Sequence, residues 1–179
     1  MALVESAEEI ARACHAMAAR FHRSGKLLVF GNGGGATDAE HIAVEFVHPV
    51  IVGKRALPAL SLAADPTVLT GIAGREGFGE VFAHQLGQLA DPDDIALGVT
   101  ADGHCANVTR GLEEARRLGL LTVALAGGDG GALAGNAAVE HLVVVRSDDP
   151  EVVKEVHVTV YHVLWELVHV FFEHPGVLA

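Results

Sequence analysis

The chain has 179 residues and a formal net charge of −11, and half of its residues are hydrophobic. That length suits one domain with a single core. The acidic balance lacks the Lys/Arg cluster a nucleic-acid binder needs, and no stretch approaches the ~18 uninterrupted apolar residues of a membrane span.

The N-terminal segment carries Glu5, Glu8 and Glu9 instead of a basic and then apolar leader, so no export signal is read. Cys14 and Cys105 are the only cysteines. They make no disulfide scaffold, and a reducing cytoplasm is the expected compartment. Ile10, Cys14, Met17 and Phe21 recur at helical spacing and predict a helix over 4–24, stopped by Ser24 and Gly25. A buried strand follows at 26–31, then a helix at 36–48. Pro49 and the turn at Gly53, Lys54 and Arg55 break the chain before a short strand at 57–62. Two short helices are predicted at 66–74 and 78–89, a turn at 91–94 and a strand at 95–99. A helix over 104–118 ends at Gly119, and a strand runs over 120–126. The glycine-rich loop 127–131 leads to a short helix, a last strand at 139–145 and a long helix over 150–172 that opens with Pro150.

Five strands, each a continuous Val/Leu/Ile run, alternate with helices. That pattern predicts a parallel sheet covered on both faces, a doubly wound α/β fold of flavodoxin-like type. The whole of 1–179 reads as one domain. Such sheets bind ligands at the carboxyl ends of their strands, where three loops are rich in glycine or small polar residues: 31–37, 100–105 and 127–131. The final helix is apolar nearly all round, from Val153 and Val156 to Phe171 and Phe172, and is expected to pack against another subunit.

Three groups of residues carry possible chemistry. The loop of Gly31, Asn32, Gly33, Gly34 and Gly35 lies between a strand and a helix, so its backbone can approach an anion at the helix's positive end. A tight turn needing positive φ accounts for the same glycines. His41 and Glu45, four apart on one helix, can share a metal or move a proton; a hydrogen-bonded surface pair accounts for them too. Glu151, Glu155 and His162 share a face of the last helix. Solvated first-turn glutamates and a satisfied core histidine are the plainer account of that face. Asp102, in the loop from Thr100 to Cys105, counts against phosphate binding and suits an N-cap. Neither cysteine is assigned a catalytic role.

Several blocks occur together in order: Gly31, Asn32, Gly33 and Gly34 with Asp38, Ala39, His41 and Glu45; Gly77 and Phe78 with Val81 and Phe82; Ala106, Asn107 and Val108; Asp129, Gly130 and Gly131 with Leu133 and Ala134; Glu155, Val156 and His157 with His162. They resemble the SIS (sugar isomerase) domain family, and within it the phosphoheptose isomerases, from about Ile10 to Phe172. The resemblance implies isomerisation of D-sedoheptulose 7-phosphate by a zinc-containing homotetramer with active sites between subunits. It makes Glu45 and His162 the acid/base pair and His41, Glu45 and His162 three of the metal ligands. Asn32, Gly33, Gly34, Gly35, Thr100, Asp102 and Glu151 fall at substrate-binding positions.

The chain also departs from the family pattern. Gly35 stands where the family has Ser, and 100–105 reads Thr, Ala, Asp, Gly, His, Cys instead of Ser-Thr-Ser-Gly-Asn-Ser. Three hydroxyls are gone and a carboxylate has arrived. Lys154 aligns with a Gln that completes the metal site, Arg75 with an Asp unless Glu76 shifts into its place, and Glu151 with an Asp. An extra N-terminal helix of the relatives finds no match. Lys54, Arg55, Arg75 and His104 are candidates to replace the lost phosphate contacts. The expected function is a sugar-phosphate isomerase with altered phosphate binding. The alternatives are a non-catalytic SIS module that binds a sugar phosphate or a protein, and a metal-binding protein on that scaffold with Glu155 or His157 near the ligands.

Overall fold

The structure, a computed structural model, describes residues 2–174, 176 and 178, with side chains from Ser6 onward. Its sheet has five parallel strands: β1 (Leu27–Gly31), β2 (Ala59–Ser61), β3 (Ile95–Val99), β4 (Leu121–Gly127) and β5 (His141–Val145), in the order β2-β1-β3-β4-β5. This is the doubly wound, flavodoxin-like order. The order reverses at β1, whose Gly31 pairs with Val99 of β3. The crevice outside that pair of strand ends is therefore the ligand position the topology dictates.

Alternation along the strands assigns the layers. Leu27 and Val29 of β1 join one core with Met17 and Phe21 of α1 (Ala2–His22), Ile42 and Phe46 of α2 (Gly34–Val47), and Val160, Leu164 and Trp165 of α6 (Pro150–Glu173). Leu28 and Phe30 join the other with Ile72 of α3 (Pro66–Glu76), Phe82 and Leu86 of α4 (Val81–Leu89), and Val108 and Leu112 of α5 (Ala106–Arg117). A strand buried on both faces has no polar side to show, hence the continuous apolar runs.

The apolar girth of α6 is mostly spent inside the chain. Val153, Val160, Leu164 and Val168 are buried, many of them in the core shared with α1, whereas Val152 and Val163 remain exposed. Asp149 caps the helix by accepting from the Glu151 amide at 2.9 Å, and Pro150 follows at its first position.

Element boundaries differ from expectation where side chains compete for backbone groups. The fifth helix starts at Ala106, two residues late, because the Asp102 carboxylate takes the His104 amide at 2.9 Å. Asp102 is thus not its N-cap; Cys105 holds that place. The predicted helix 78–89 divides into a 3₁₀ turn (Phe78–Glu80) and α4, and the short helix after 127–131 is a 3₁₀ turn (Gly131–Leu133). Strand 57–62 contracts to three residues at the sheet edge. No helix among the described residues is long and apolar enough to cross a membrane.

Candidate active site

A cavity of about 560 Å³ opens at the β1/β3 switch point. Asn32, Gly34 and Gly35 line it from the end of β1, Thr100 and Ala101 from the end of β3, and Glu151, Lys154, Glu155 and His157 from α6. Five of the seven expected substrate positions meet there, Glu151 among them; Gly33 and Asp102 are absent from the lining. Asp102 lines a smaller adjoining cavity of about 270 Å³ with Ser147 and Asp148.

The glycines serve two different ends. Gly33 has φ +53° and turns the chain into α2. Gly31 and Gly35 serve close packing: a Cβ on either would lie 2.6 Å or 2.8 Å from the Val99 carbonyl oxygen. The amides of Gly35, Ala36 and Thr37 donate to the Asn32 and Gly33 carbonyls at 2.8, 3.0 and 3.3 Å. That leaves Gly33 and Gly34 as the loop's amides for a ligand. Asn32 is also half committed, because its side chain and that of Asn107 exchange hydrogen bonds of 2.7 and 2.9 Å.

The loop after β3 satisfies itself. Thr100 Oγ1 lies 3.3 Å from Asp102 Oδ1 and accepts from the Gly103 amide at 3.2 Å. The same Asp102 oxygen accepts from the His104 amide. A carboxylate of the chain itself therefore occupies donors of the kind that would hold an anionic ligand, and it repels a phosphate. None of the expected compensating cations lines the cavity. Lys54 pairs with Glu166 and Glu173 on α6, Arg55 stacks on Phe172, Arg75 lines a separate pocket beside His84, and His104 lies on the exposed loop.

Lys154 is the cavity's one cation among the described residues. Its ammonium donates to Gly34 O (2.8 Å), Thr37 Oγ1 (3.1 Å) and Asp38 Oδ1 (2.5 Å). All three protons are committed, and an ammonium has no lone pair for a metal. Lys154 therefore does not replace the Gln ligand; it braces α6 against the start of α2.

His41, Glu45 and His162 converge from α2 and α6, with one ligand atom from each lying within 4.8 Å of the others. His41 Nε2 lies 3.3 Å from Glu45 Oε1, and the His41 and His162 rings are 5.2 Å apart. Tetrahedral bonds of ~2.0–2.1 Å put ligand atoms about 3.3–3.5 Å apart, so the first pair already has the spacing of two ligands to one ion. Two His and one Glu with an open position form a donor set suited to a catalytic divalent metal. His162 is exposed and is not a satisfied core histidine; His169 takes that role, held by the carbonyls of Trp165 and Arg55. The trio lies beyond the cavity lining, one to two helical turns further along both helices.

Sequence reasoning named His157, one of two residues that join these parts, but passed over Tyr161. The Tyr161 hydroxyl lies 2.9 Å from His41 Nδ1 and also faces Asp38. Burial, then Asp38 and Glu45, push the phenol up to about 12. His157 is buried against the cavity, where burial lowers its pKa despite a hydrogen bond to Ala126; its Nε2 has no partner among the described residues. The signal for Tyr161 was its spacing. It lies seven residues after Lys154, on the face that meets Asp38, His41 and Glu45. Cys14 is inert, its buried thiol pushed up to about 12.

Comparison with known proteins supports the same assignment. The SIS domain family matches residues 2–127. The phosphoheptose isomerase of Desulfovibrio desulfuricans is 41% identical, over 91% of this chain and 77% of that protein. The solved phosphoheptose isomerase of Francisella tularensis superposes with a TM-score of 0.86 at 32% identity, covering 94% of this chain and 91% of that one. For the one from Neisseria gonorrhoeae the TM-score is 0.84 at 29% identity, with 91% and 86% covered. With this sheet order, these strand-end loops and these relatives, the chain belongs to the SIS domain family, in its phosphoheptose isomerase group.

Proposed function

We propose that this chain is an aldose–ketose isomerase of sugar phosphates, working as the phosphoheptose isomerases do, with a weakened hold on the phosphate. The carrying observation is the convergence of His41, Glu45 and His162 from two helices beside the switch-point cavity, in a chain 41% identical to a phosphoheptose isomerase. D-sedoheptulose 7-phosphate is the reference substrate.

The chemistry follows from what a carboxylate and an imidazole do next to a carbonyl. Glu45 removes a proton from C1 of the ketose. The C–H electron pair becomes the C1–C2 double bond of an enediol as the C2 carbonyl oxygen takes a proton from His162. His162 then accepts the proton of the C1 hydroxyl, the C1 carbonyl forms, and Glu45 returns its proton to C2. Atoms balance, and both residues end as they began. The trio of His41, Glu45 and His162 would hold a zinc ion, whose chemistry when bound is polarisation of the carbonyl. Asn32, Gly33, Gly34, Gly35, Thr100 and Glu151 would orient the sugar. Asp102 sits at a family phosphate position, where its charge weakens the grip.

The trio lies outside the single chain's cavity, which supports a site completed in a homo-oligomer. The exposed Val44 and Val47 on α2 and Val152 and Val163 on α6 suit such an assembly. One SIS domain over 1–179, acting in a reducing cytoplasm, completes the proposal. The self-satisfied loop at 100–105 also favours a second reading, a ligand-binding SIS module without turnover.

Sedoheptulose 7-phosphate incubated in deuterated water separates the two. The isomerase reading predicts aldose formation and deuterium at the exchanged carbon, both reduced at least ~10²-fold in Glu45→Gln, the scale of a lost general base. Unchanged turnover in Glu45→Gln, or none in the wild-type protein, contradicts it.

A further inference from the structure

Tyr161 is the chain's one tyrosine, only 2% exposed, between α2 and α6. Its hydroxyl lies 2.9 Å from His41 Nδ1, and the Asp38 carboxylate interacts with it electrostatically. Asp38 is buried as well and offers only lone pairs. A carboxylate draws a hydroxyl proton more strongly than an imidazole nitrogen does, and a hydroxyl turned to Asp38 leaves its oxygen to accept the Nδ1 proton of His41. Lys154 holds Asp38 from its other side, at Oδ1, and so fixes the carboxylate's direction.

The consequence falls on the far side of the imidazole. A neutral ring carries one proton, and with that proton on Nδ1 the Nε2 atom is a bare lone pair. It points at Glu45 Oε1, 3.3 Å away. Two acceptors at that distance repel unless a cation lies between them. Without the Tyr161 hydroxyl, the ring gains by turning to the other tautomer and donating Nε2–H to Glu45, and in that form it cannot ligate.

We propose that Tyr161 is a positioning residue for the metal centre, holding His41 in the tautomer that offers Nε2 as a ligand through a relay anchored by Asp38 and Lys154. The inference rests on the reading of His41, Glu45 and His162 as metal ligands. Outer partners of ligating histidines act in this way, and their loss typically costs about 10–100-fold in metal affinity.

The test is zinc affinity of the full chain, measured by competition with a chromogenic chelator, for wild type and Tyr161→Phe. A parallel nitrogen-15 spectrum of the histidine side chains reports the His41 tautomer in metal-free protein. Tyr161→Phe is expected to bind zinc about 10–100-fold more weakly and to shift His41 toward Nε2 protonation. Equal affinity in the two proteins overturns the role of Tyr161 and leaves the metal site standing. Wild type that binds no zinc at micromolar concentration removes the metal site and the inference with it. Should Tyr161→Phe not fold, the wild-type spectrum decides alone, since an Nε2-protonated His41 contradicts the relay.

Discussion

Gly35 carries a packing constraint besides its place in the cavity lining. Its place in a glycine-rich strand-to-helix loop suggests an anion cradle, and the family carries Ser there. Its φ is not positive, and its constraint is the Val99 carbonyl, which a Cβ would meet at 2.8 Å. Gly31 packs against the same oxygen. Gly35→Ser would push the loop off β3, and we predict a loss of about 1–2 kcal/mol in urea denaturation, the usual scale for mild overpacking; unchanged stability would contradict that cause. Asp102 carried a legible conflict between charge and phosphate, but which amide it would take was not legible. That choice depends on Thr100 and Gly103 folding back on it, a local competition between side chain and backbone.

The pairing of α2 with α6 is the element that makes the site. Asp38, His41 and Glu45 fall on one stripe of α2, and Lys154, Tyr161 and Trp165 recur along α6. Three contacts join them in order: Lys154 to Asp38, Tyr161 to His41, and Trp165 Nε1 to the Glu45 carbonyl at 2.9 Å. Each stripe is readable from helical spacing, and so was Pro150 at the start of α6. That the stripes face each other depends on how both helices pack on the sheet, which one strand of sequence does not encode locally. Much of the apolar surface of α6 packs on α1, while Val152 and Val163 stay exposed for the subunit contact expected of this helix. Lys154→Met keeps the stem but leaves the buried Asp38 carboxylate short of its strongest donor. We predict a loss of about 1.5–3 kcal/mol, the range for hydrogen bonds to charged groups, read as a lower urea midpoint; a change below ~0.5 kcal/mol would mean that solvent supplies the missing donor.

At the scale of the whole molecule, sheet order and site position follow from the alternation of apolar runs with helices. Glycine loops at 31–35 and 100–105 sit at the β1/β3 switch point, where the topology places a ligand. What the pattern could not give is the balance of charge there. The cavity holds Asp38, Glu151 and Glu155 against Lys154 alone, and Lys154 is spent on Asp38. His41, Glu45 and His162 converge, while donors of the loop after β3 are taken by the chain's own Asp102 carboxylate. The most direct test is steady-state kinetics with sedoheptulose 7-phosphate for wild type and Asp102→Ser, which removes the carboxylate and returns a hydroxyl. The account predicts a KM at least about tenfold lower in Asp102→Ser, the equivalent of one recovered charge-assisted hydrogen bond, with kcat within about twofold because Glu45 and His162 are untouched. A KM that stays the same or rises would contradict it.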